Sequence, residues 1–484
     1  MIIQNKIDKI TSNTLTTPKE SIILLFSIIA WLVICVKSKL GLEVPLLSSF
    51  LILYVFCKIR HIDYKGVQKA AFNSVHKALE AIVILISVGI LIGTWIAGGT
   101  IPSIIYVGLT LINPQWFLLC TLILCSILST ATGTSYGSAG TAGVAMMAVG
   151  IAMGIPAGMI AGAVICGALF GDKMSPFSDT TNLAPTMAGT DLFTHIRSMC
   201  YTTIPTYIIA AILFAVLGVH YGNANYDVAT VQSYCDVIAS HFYLSIWSIV
   251  PVGIVILLLL LKVDAIPAIL AGAAAGVVCS MLLQGNDFFT TMTYALKGYS
   301  FDSGVKMVDK LLNRGGLLSM SSVVYIMIGG VALGGALEYL GVLKNILSPI
   351  VNKINSIPKL IGSTLLVSYI TGAVGSTMAM AHVLTGKIMS PIYRKKGIAP
   401  QVCSRTMEDA GTLGGVLFPW HTNCIYFCGV LGVTYLDYLP YVFLSYLTPI
   451  MAMICAFTGF GIFYTRMAKE KIAIAEGECH EHAM

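Results

Sequence analysis

The chain carries very little charge. Only 10% of its 484 residues are Asp, Glu, Lys or Arg, whereas 57% are hydrophobic. A soluble domain of average composition carries about 25% charged residues. Helices of a soluble protein of this size would also need polar faces, which the long apolar segments lack. The composition therefore excludes a soluble globular protein and indicates a chain that lies mostly in a bilayer.

Several motifs of enzymes and pumps are absent as well. No C-x-x-C, H-E-x-x-H or G-x-x-x-x-G-K-[ST] sequence occurs, which argues against common zinc and redox motifs and against an ATP-driven pump. The 13 cysteines lie mostly inside apolar runs, where they act as small core residues. Residues 1–20 are polar and contain no apolar core, so they predict a cytosolic tail rather than a signal peptide.

What the chain has in quantity is apolar segments of bilayer length. A helix needs about 20 apolar residues to cross the hydrocarbon core. The segments predict an all-α, polytopic membrane protein with roughly 10–13 transmembrane helices. Basic clusters at 58–69, 393–397 and 465–471 predict cytoplasmic segments, and the loop 220–240, which lacks Lys and Arg, predicts an external one. The net charge of +6 comes from such clusters and does not indicate nucleic-acid binding.

A gapless internal match relates two parts of the chain. Four Gly or Pro positions recur 244 residues later: Pro156 and Pro400, Gly167 and Gly411, Gly171 and Gly415, Pro205 and Pro449. Duplicated halves with Gly- or Pro-interrupted spans are typical of secondary transporters. The match predicts two structural repeats with re-entrant or broken helices, and by analogy with that class we expect the repeats to be inverted. The predicted organisation is a tail (1–20), N-terminal helices and a basic loop (21–77), repeat 1 (78–219), a connector with two helices (220–315), repeat 2 (316–464) and a second tail (465–484).

One polar segment interrupts the apolar sequence of repeat 1. It reads GDKMSPFSDTTNLAP and spans 171–185. Its prolines stop a helix, and irregular backbone at membrane depth is tolerated only where protein buries it or water reaches it. Carboxylates inside a membrane are costly and usually functional. The predicted ion or substrate ligands of this segment are Asp172, Ser175, Asp179, Thr180 and Asn182, with Asp172, Asp179 and Asn182 as transient Na⁺ ligands. The alternative is a water-exposed loop.

The counterpart in repeat 2 spans 404–423 and contains the adjacent carboxylates Glu408 and Asp409. We expect these two to carry protons or ions; alternatively, Glu408 pairs with Arg405 at a cytosolic helix start. The 244-residue match puts Asn423, which follows Thr422, opposite Asp179, so Thr422 and Asn423 join the predicted site.

A further Gly- and hydroxyl-rich break precedes each segment, at 129–143 and 368–382. Thr134 and Ser135 in the first break join the predicted ligands, although small residues also serve helix packing alone. His382 and His421 lie near the breaks, where each is either a pH-sensitive group or a structural one. Lys173 either forms an ion pair with its neighbour Asp172, which would hold Asp172 charged, or takes the place of a cation when the site is empty.

Residues 133–137 read GTSYG, which matches the G-x-S-x-G pattern of serine hydrolases. That motif requires a strand before the serine, and this chain predicts none there. The glycines also continue beyond the motif, as in a packed or unwound helix. We therefore predict that the protein is not an enzyme.

Long motifs resemble the NhaC-type sodium/proton antiporter family of the ion transporter superfamily. The resemblance covers nearly the whole chain after residue 78 and rests on GTSYGSAGTAG (133–143), FGDKMSPFSDTTNLAP (170–185), GTDLFTHIRSM (189–199), RGGLLSM (314–320) and SRTMEDAG (404–411). The family includes Na⁺/H⁺ antiporters and a branch that exchanges malate and lactate. Members usually carry PWNTCG after the second acidic block, whereas this chain has PWHTNC at 419–424.

The combined prediction is a Na⁺/H⁺ antiporter of the cell membrane that works by alternating access, with ions bound at broken helices. The alternative is a Na⁺/H⁺-coupled transporter of an organic anion or amino acid. No cofactor is expected besides the transported Na⁺ and H⁺. The expected partners are the lipid bilayer, these ions and, under the alternative, a small organic acid or amino acid; a homodimer is possible, and no nucleic acid is expected.

Overall fold

The computed structural model describes residues 15–37, 41–224, 228–351 and 354–465. Throughout this part of the chain the regular structure is helical, apart from one isolated antiparallel bridge between Ile398 and Tyr464. The all-α prediction is confirmed. Most of the two predicted tails, 1–14 and 466–484, lies outside the described residues, as does part of the predicted external loop.

Among the described residues, the N-terminal part and the first half contain ten α-helices. In chain order they are α1 (Pro18–Lys37), α2 (Glu43–Ile59), α3 (Tyr64–Ala97), α4 (Thr100–Leu111), α5 (Phe117–Thr132), α6 (Ser135–Ser138), α7 (Val144–Ala152), α8 (Ala157–Met174), α9 (Asp179–Ala188) and α10 (Leu192–Ala224). A 3₁₀ turn, Pro114–Trp116, precedes α5, and a π-helical turn, Ala139–Gly143, joins α6 to α7.

The connector contains α11 (Val228–His241), α12 (Val250–Leu260), α13 (Ala265–Leu282), α14 (Phe288–Lys297) and α15 (Lys306–Leu312), with a 3₁₀ turn at Ile246–Ile249. The second half contains α16 (Ser321–Tyr339), α17 (Val342–Val351), α18 (Ile357–Gly375), α19 (Met378–Lys395), α20 (Pro400–Gly411), α21 (Thr422–Leu431), α22 (Tyr435–Tyr438) and α23 (Phe443–Thr458). Its 3₁₀ turns are Leu317–Met320, Leu413–Leu417 and Leu439–Tyr441.

Seven helices in the described ranges are long and apolar enough to cross a membrane, or up to nine if each of two bent helix pairs is one span. The bent pairs are Gln232–His241 with Ile246–Leu260, at 95°, and Tyr435–Tyr441 with Phe443–Thr458, at 46°. The protein is therefore a polytopic membrane protein with broken helices, as predicted. The sequence count of spans is higher because it also includes shorter apolar segments such as α2, which has 17 residues.

Two helical hairpins fold back on themselves where the sequence predicts breaks. In the first hairpin (117–152), Gly150 of α7 packs against Phe117 at the start of α5, so the chain returns to the end from which it came. In the second hairpin (357–395), the Thr364 and Tyr393 hydroxyls lie 3.0 Å apart, which brings the start of α18 to the end of α19. Irregular backbone at such a reversal is tolerated at membrane depth where protein surrounds it.

The two hairpin tips share one local structure. Gly133 and Ser376 both adopt the left-handed conformation, with φ of 74° and 57°. The next residue in each case is a threonine whose hydroxyl caps the following helix: Thr134 accepts from the Gly137 N–H at 3.2 Å and Thr377 from the Met380 N–H at 3.3 Å. An N-cap hydroxyl satisfies a backbone donor that the helix leaves free, so each tip pairs one such donor where the chain reverses.

Gly133→Ala is expected to destabilise the first hairpin by about 2–4 kcal/mol, since a left-handed alanine is strained and its Cβ would lie 2.8 Å from Phe177 atoms. The melting temperature of the purified protein in detergent measures this effect. Gly253→Ala is the matched control, because no atom lies within 4 Å of the Cβ it adds, and it should leave the melting temperature unchanged or slightly raised. Equal behaviour of the two variants would contradict the tip geometry.

Side-chain pairs give the relative direction of the two halves. Along α10 and α23, Phe214 packs on Phe443 with ring centroids 5.0 Å apart. At the other end of this helix pair, Tyr201 packs on Phe460 at 5.2 Å. The two helices therefore run antiparallel. Pro205 of α10 and Pro449 of α23 are matched positions of the two repeats, and antiparallel matched helices are expected for inverted repeats.

The helices α8 and α20 enter from opposite ends of the molecule. The start of α8 packs at Gly158 against the backbone of Asp437, whereas the start of α20 lies near α10, where Ser198 donates to the Gln401 carbonyl at 3.2 Å. Their far ends meet in the protein interior, where each helix breaks. This geometry brings the two predicted polar segments together, while the exact repeat boundaries stay a prediction.

Candidate functional site

Asp172 lies in the last turn of α8 and is buried, with 5% of its surface exposed. Its Oδ2 accepts a hydrogen bond from the Ser135 hydroxyl at 2.6 Å, and its Oδ1 accepts one from the Ser178 hydroxyl. The Thr180 hydroxyl lies 3.0 Å from that of Ser178. A single carboxylate therefore joins α8, the tip of the first hairpin and the break before α9.

The break between α8 and α9 is held by hydroxyl groups. Where α8 ends, the Thr181 hydroxyl donates to the carbonyls of Asp172 and Lys173, at 3.0 and 2.9 Å. The Ser175 hydroxyl accepts from the Phe177 N–H at 3.2 Å. Helix ends leave backbone groups without partners, and these bonds satisfy them inside the protein. The Ser and Thr residues of the polar segment thus support an irregular backbone as well as the carboxylate.

Lys173 forms an ion pair with Asp409 of α20, and both side chains are fully buried. Asp409 Oδ1 also accepts from the Thr202 hydroxyl of α10 at 2.9 Å, while its Oδ2 has no hydrogen-bond partner. The expected pairing of Lys173 with its neighbour Asp172 is wrong, because successive side chains on a helix point in different directions. The pair instead connects the two halves at the point where α8 and α20 meet.

Glu408 is fully buried beside the second hairpin. Its Oε2 accepts from the Thr412 hydroxyl, and the same hydroxyl lies 2.9 Å from His382 Nε2. Its Oε1 lies 3.7 Å from that nitrogen and has no hydrogen-bond partner. The alternative that paired Glu408 with Arg405 at a cytosolic surface is wrong: Arg405 is buried and donates to the Gly461 carbonyl at 2.8 Å.

Asn423 and Thr422 lie in the first turn of α21 and are buried. Asn423 Oδ1 accepts from the Tyr136 hydroxyl at 2.8 Å, so the second half contacts the first hairpin here too. The Thr422 N–H donates to the Ser376 carbonyl at the tip of the second hairpin. His421 Nδ1 caps α21 by accepting from the Asn423 N–H at 3.1 Å. His421 is therefore a helix cap in this conformation.

Two of the remaining predicted ligands are exposed rather than buried. Asp179 and Asn182 are exposed on α9, and the Asn182 amide donates to the carbonyls of Pro176 and Ser178. Asp172 is buried, so the three predicted Na⁺ ligands do not share one environment. Within the described residues no group of three or more His, Cys, Asp and Glu side chains is placed to hold a metal ion.

Three contacts of the site come from residues that the sequence did not single out, Tyr136, Thr202 and Thr412. Tyr136 reaches Asn423 across 287 positions, and Thr202 reaches Asp409 across 207. The only sequence signal was a hydroxyl group within or next to an apolar helix, which is too common to be diagnostic. Their role depends on which helices meet.

The site contains more buried carboxyl groups than buried cationic side chains. Three carboxyl groups, those of Asp172, Glu408 and Asp409, lie in the interior with Lys173, and Asp172, Asp409 and Lys173 all act electrostatically on Glu408. Carboxylates outnumber cations even when buried Arg405 is counted. A charge without a partner is costly in a protein interior. The excess negative charge of the three carboxyl groups must therefore be neutralised by bound protons or cations.

Comparison with known proteins identifies close relatives. Residues 167–460 match the model of the Na⁺/H⁺ antiporter family. The chain is 43% identical to the malate-2H⁺/Na⁺-lactate antiporter of Bacillus subtilis over 84% of this chain and 86% of the relative. It is 36% identical to the Na⁺/H⁺ antiporter NhaC of Alkalihalophilus pseudofirmus, covering 88% and 92%. It is also 33% identical to the arginine/ornithine antiporter ArcD of Halobacterium salinarum, covering 81% of each chain.

Proposed function

The chain belongs to the Na⁺/H⁺ antiporter family, as a multi-pass protein of the cell membrane, and we propose that it exchanges Na⁺ for protons with Asp172 as the central ion ligand. The observation that carries this proposal is the buried Asp172 carboxylate, which accepts hydroxyl groups from the first hairpin tip and from the α8–α9 break. Both elements are irregular backbone, where side-chain and carbonyl oxygens gather.

The chemistry of this site suits both ions. Hard cations prefer oxygen ligands, and Asp172, Ser135, Ser178 and Thr180 supply four such side chains. A hydroxyl can donate to the carboxylate or turn its lone pairs toward a cation. Na⁺ bound here would neutralise Asp172, and a proton on the carboxyl would do the same. The two ions therefore compete, which is the simplest basis for exchange.

The Lys173–Asp409 ion pair would transmit the state of this site to the second half. Lys173 follows Asp172 directly, and Asp409 follows Glu408. A change of charge at Asp172 therefore acts next to the contact between the two halves. Alternating access needs one half to move relative to the other around a central site, and the ion pair lies at that contact.

We expect purified protein in liposomes to move Na⁺ and H⁺ in opposite directions. When Na⁺ is added outside Na⁺-free vesicles, Na⁺ should enter, protons should leave, and a trapped pH dye should report an alkaline lumen. Vesicles without protein give the baseline. A correctly inserted protein that produces no pH change at any Na⁺ gradient would contradict bare Na⁺/H⁺ exchange.

A second candidate function is Na⁺/H⁺-coupled exchange of an organic acid or amino acid. Two relatives are named for organic substrates, malate with lactate and arginine with ornithine. The segment 419–424 reads PWHTNC. Its Asn423 accepts a hydrogen bond from Tyr136, the residue after Ser135 of the proposed ion site. Counterflow of labelled malate, lactate or arginine in the same vesicles distinguishes this function, because bare ion exchange predicts no accumulation of any of the three.

A further inference from the structure

A second set of buried groups lies outside the proposed Na⁺ site. His382 belongs to the second hairpin, whereas Glu408 and Thr412 belong to α20 and the residue after it. The three side chains are fully buried. They are linked through one hydroxyl, that of Thr412, which contacts Glu408 Oε2 and lies 2.9 Å from His382 Nε2.

A hydroxyl has one proton, so this chain of bonds has two possible directions. In one, the Thr412 hydroxyl donates to the Glu408 carboxylate and accepts from the Nε2–H of a neutral His382. In the other, a protonated Glu408 donates to Thr412, whose hydroxyl donates to a bare Nε2, and the histidine carries its proton on Nδ1. The two states differ by one proton.

We propose that Glu408, Thr412 and His382 form a proton relay that loads Glu408, separate from the Asp172 ion site. A proton that reaches His382 Nδ1 gives an imidazolium. Its Nε2 proton then passes to Thr412 Oγ1 while the hydroxyl proton passes to Glu408 Oε2. One proton enters at Nδ1, one is gained by the carboxyl group, and His382 is neutral again. The relay rests on the proposed Na⁺/H⁺ exchange and specifies its proton path.

Both ends of the relay are open. Within the described residues, His382 Nδ1 and Glu408 Oε1 are buried and have no hydrogen-bond partner. A buried polar atom without a partner is costly, and each of these atoms is where a proton would arrive or leave. Gly411 makes the approach of the ring possible, since a Cβ there would lie 3.0 Å from His382 Cε1.

Burial favours the uncharged form of both groups, because a charge without a partner is costly in a protein interior. The resting state is therefore a protonated Glu408 beside a neutral His382; Lys173 opposes an added proton on either group, while Asp172 and Asp409 favour one on Glu408. The charged and titratable groups that face the relay from the packed elements are Lys173 and Asp172 of α8, Asp409 of α20 and His195 of α10. The histidine would therefore transfer the proton, and the carboxyl group would hold it.

Thr412→Val tests the relay, because valine has the shape of threonine without the hydroxyl. In vesicles, net Na⁺/H⁺ exchange should fall about 100-fold, the lower end of what positioned proton-transfer groups contribute. Isotopic exchange of ²²Na⁺ for Na⁺ moves no net proton and should be largely retained. Thr412→Ser should restore net exchange. Thr406→Val is the matched control: Thr406 is buried on the same helix and its hydroxyl bonds the Val402 carbonyl.

Different failures have different signatures. Unchanged net exchange in Thr412→Val, or equal loss of both exchange modes, overturns the relay. Absence of both modes in the unmodified protein overturns the proposed function instead.

Infrared spectroscopy of the solubilised protein tests the relay independently of transport. The signal is the carboxylic-acid band of Glu408, which is identified as the band that Glu408→Gln removes. This band should shift in Thr412→Val and not in Thr406→Val, and an unshifted band overturns the relay whatever the transport result.

Discussion

Asp172→Asn is expected to abolish Na⁺-driven proton movement while the protein still inserts and folds. Asparagine has the size of aspartate and can still bond the Ser135 and Ser178 hydroxyls, so the break between α8 and α9 should persist. It carries no negative charge for Na⁺, and its amide takes up no proton at ordinary pH. The loss of a buried charge interaction of about 3 kcal/mol alone lowers ion affinity about 100-fold. The pH-dye assay in vesicles measures the rate.

The variant Asp179→Asn distinguishes the site centred on Asp172 from the sequence-based prediction, in which Asp179 is also an ion ligand. Asp179 belongs to the same segment and is the first residue of α9, but its side chain is exposed. Losing it should leave most of the exchange activity, since an exposed carboxylate is well solvated with or without a bound ion. Abolished exchange in Asp179→Asn with normal exchange in Asp172→Asn would refute the Asp172 site and restore the sequence-based assignment.

Much of the fold could be predicted from the sequence because a bilayer permits few structures. Backbone groups in hydrocarbon must be paired, which only helices and closed β-barrels achieve, and apolar runs of this length are typical of helices. Breaks could be located because Gly, Pro and hydroxyl residues interrupt those segments, as at Gly133 and Ser376. The 244-residue match indicated a duplication. Its direction came from three-dimensional pairs such as Phe214 with Phe443, which no spacing reveals.

The candidate site was predicted less completely. The sequence identified the buried carboxylates Asp172, Glu408 and Asp409, because charge inside a membrane segment is conspicuous. It did not identify their partners: Lys173 lies beside Asp172 in sequence but pairs with a residue 236 positions away. Nor could it tell which face of α9 is buried. The exposed Asp179 of α9 therefore seemed as good an ion ligand as the buried Asp172 of α8. Contacts of this kind depend on helix packing, which the local pattern does not encode.

Lys173→Met is expected to be the most destabilising single change in the site. It leaves Asp409 charged in the interior with only the Thr202 hydroxyl as a partner. Removing one member of a buried ion pair typically costs about 3–5 kcal/mol. The melting temperature in detergent should fall accordingly. Glu20→Gln is the control, since it breaks the partly exposed pair with Arg60 and should cost less than about 1 kcal/mol. Similar shifts for the two variants would contradict a buried, water-free pair.

The double variant Lys173→Met with Asp409→Leu decides whether this pair has a role beyond stability. Apolar residues can replace a buried ion pair with little loss, or even a gain, of stability because no charge has to be desolvated. We therefore expect the double variant to recover much of the melting temperature lost by Lys173→Met. Exchange should be abolished in the double variant, because the pair couples Asp172 to the second half and an apolar contact no longer responds to charge. Recovery of both stability and exchange would reduce the pair to a structural contact and remove it from the transport mechanism.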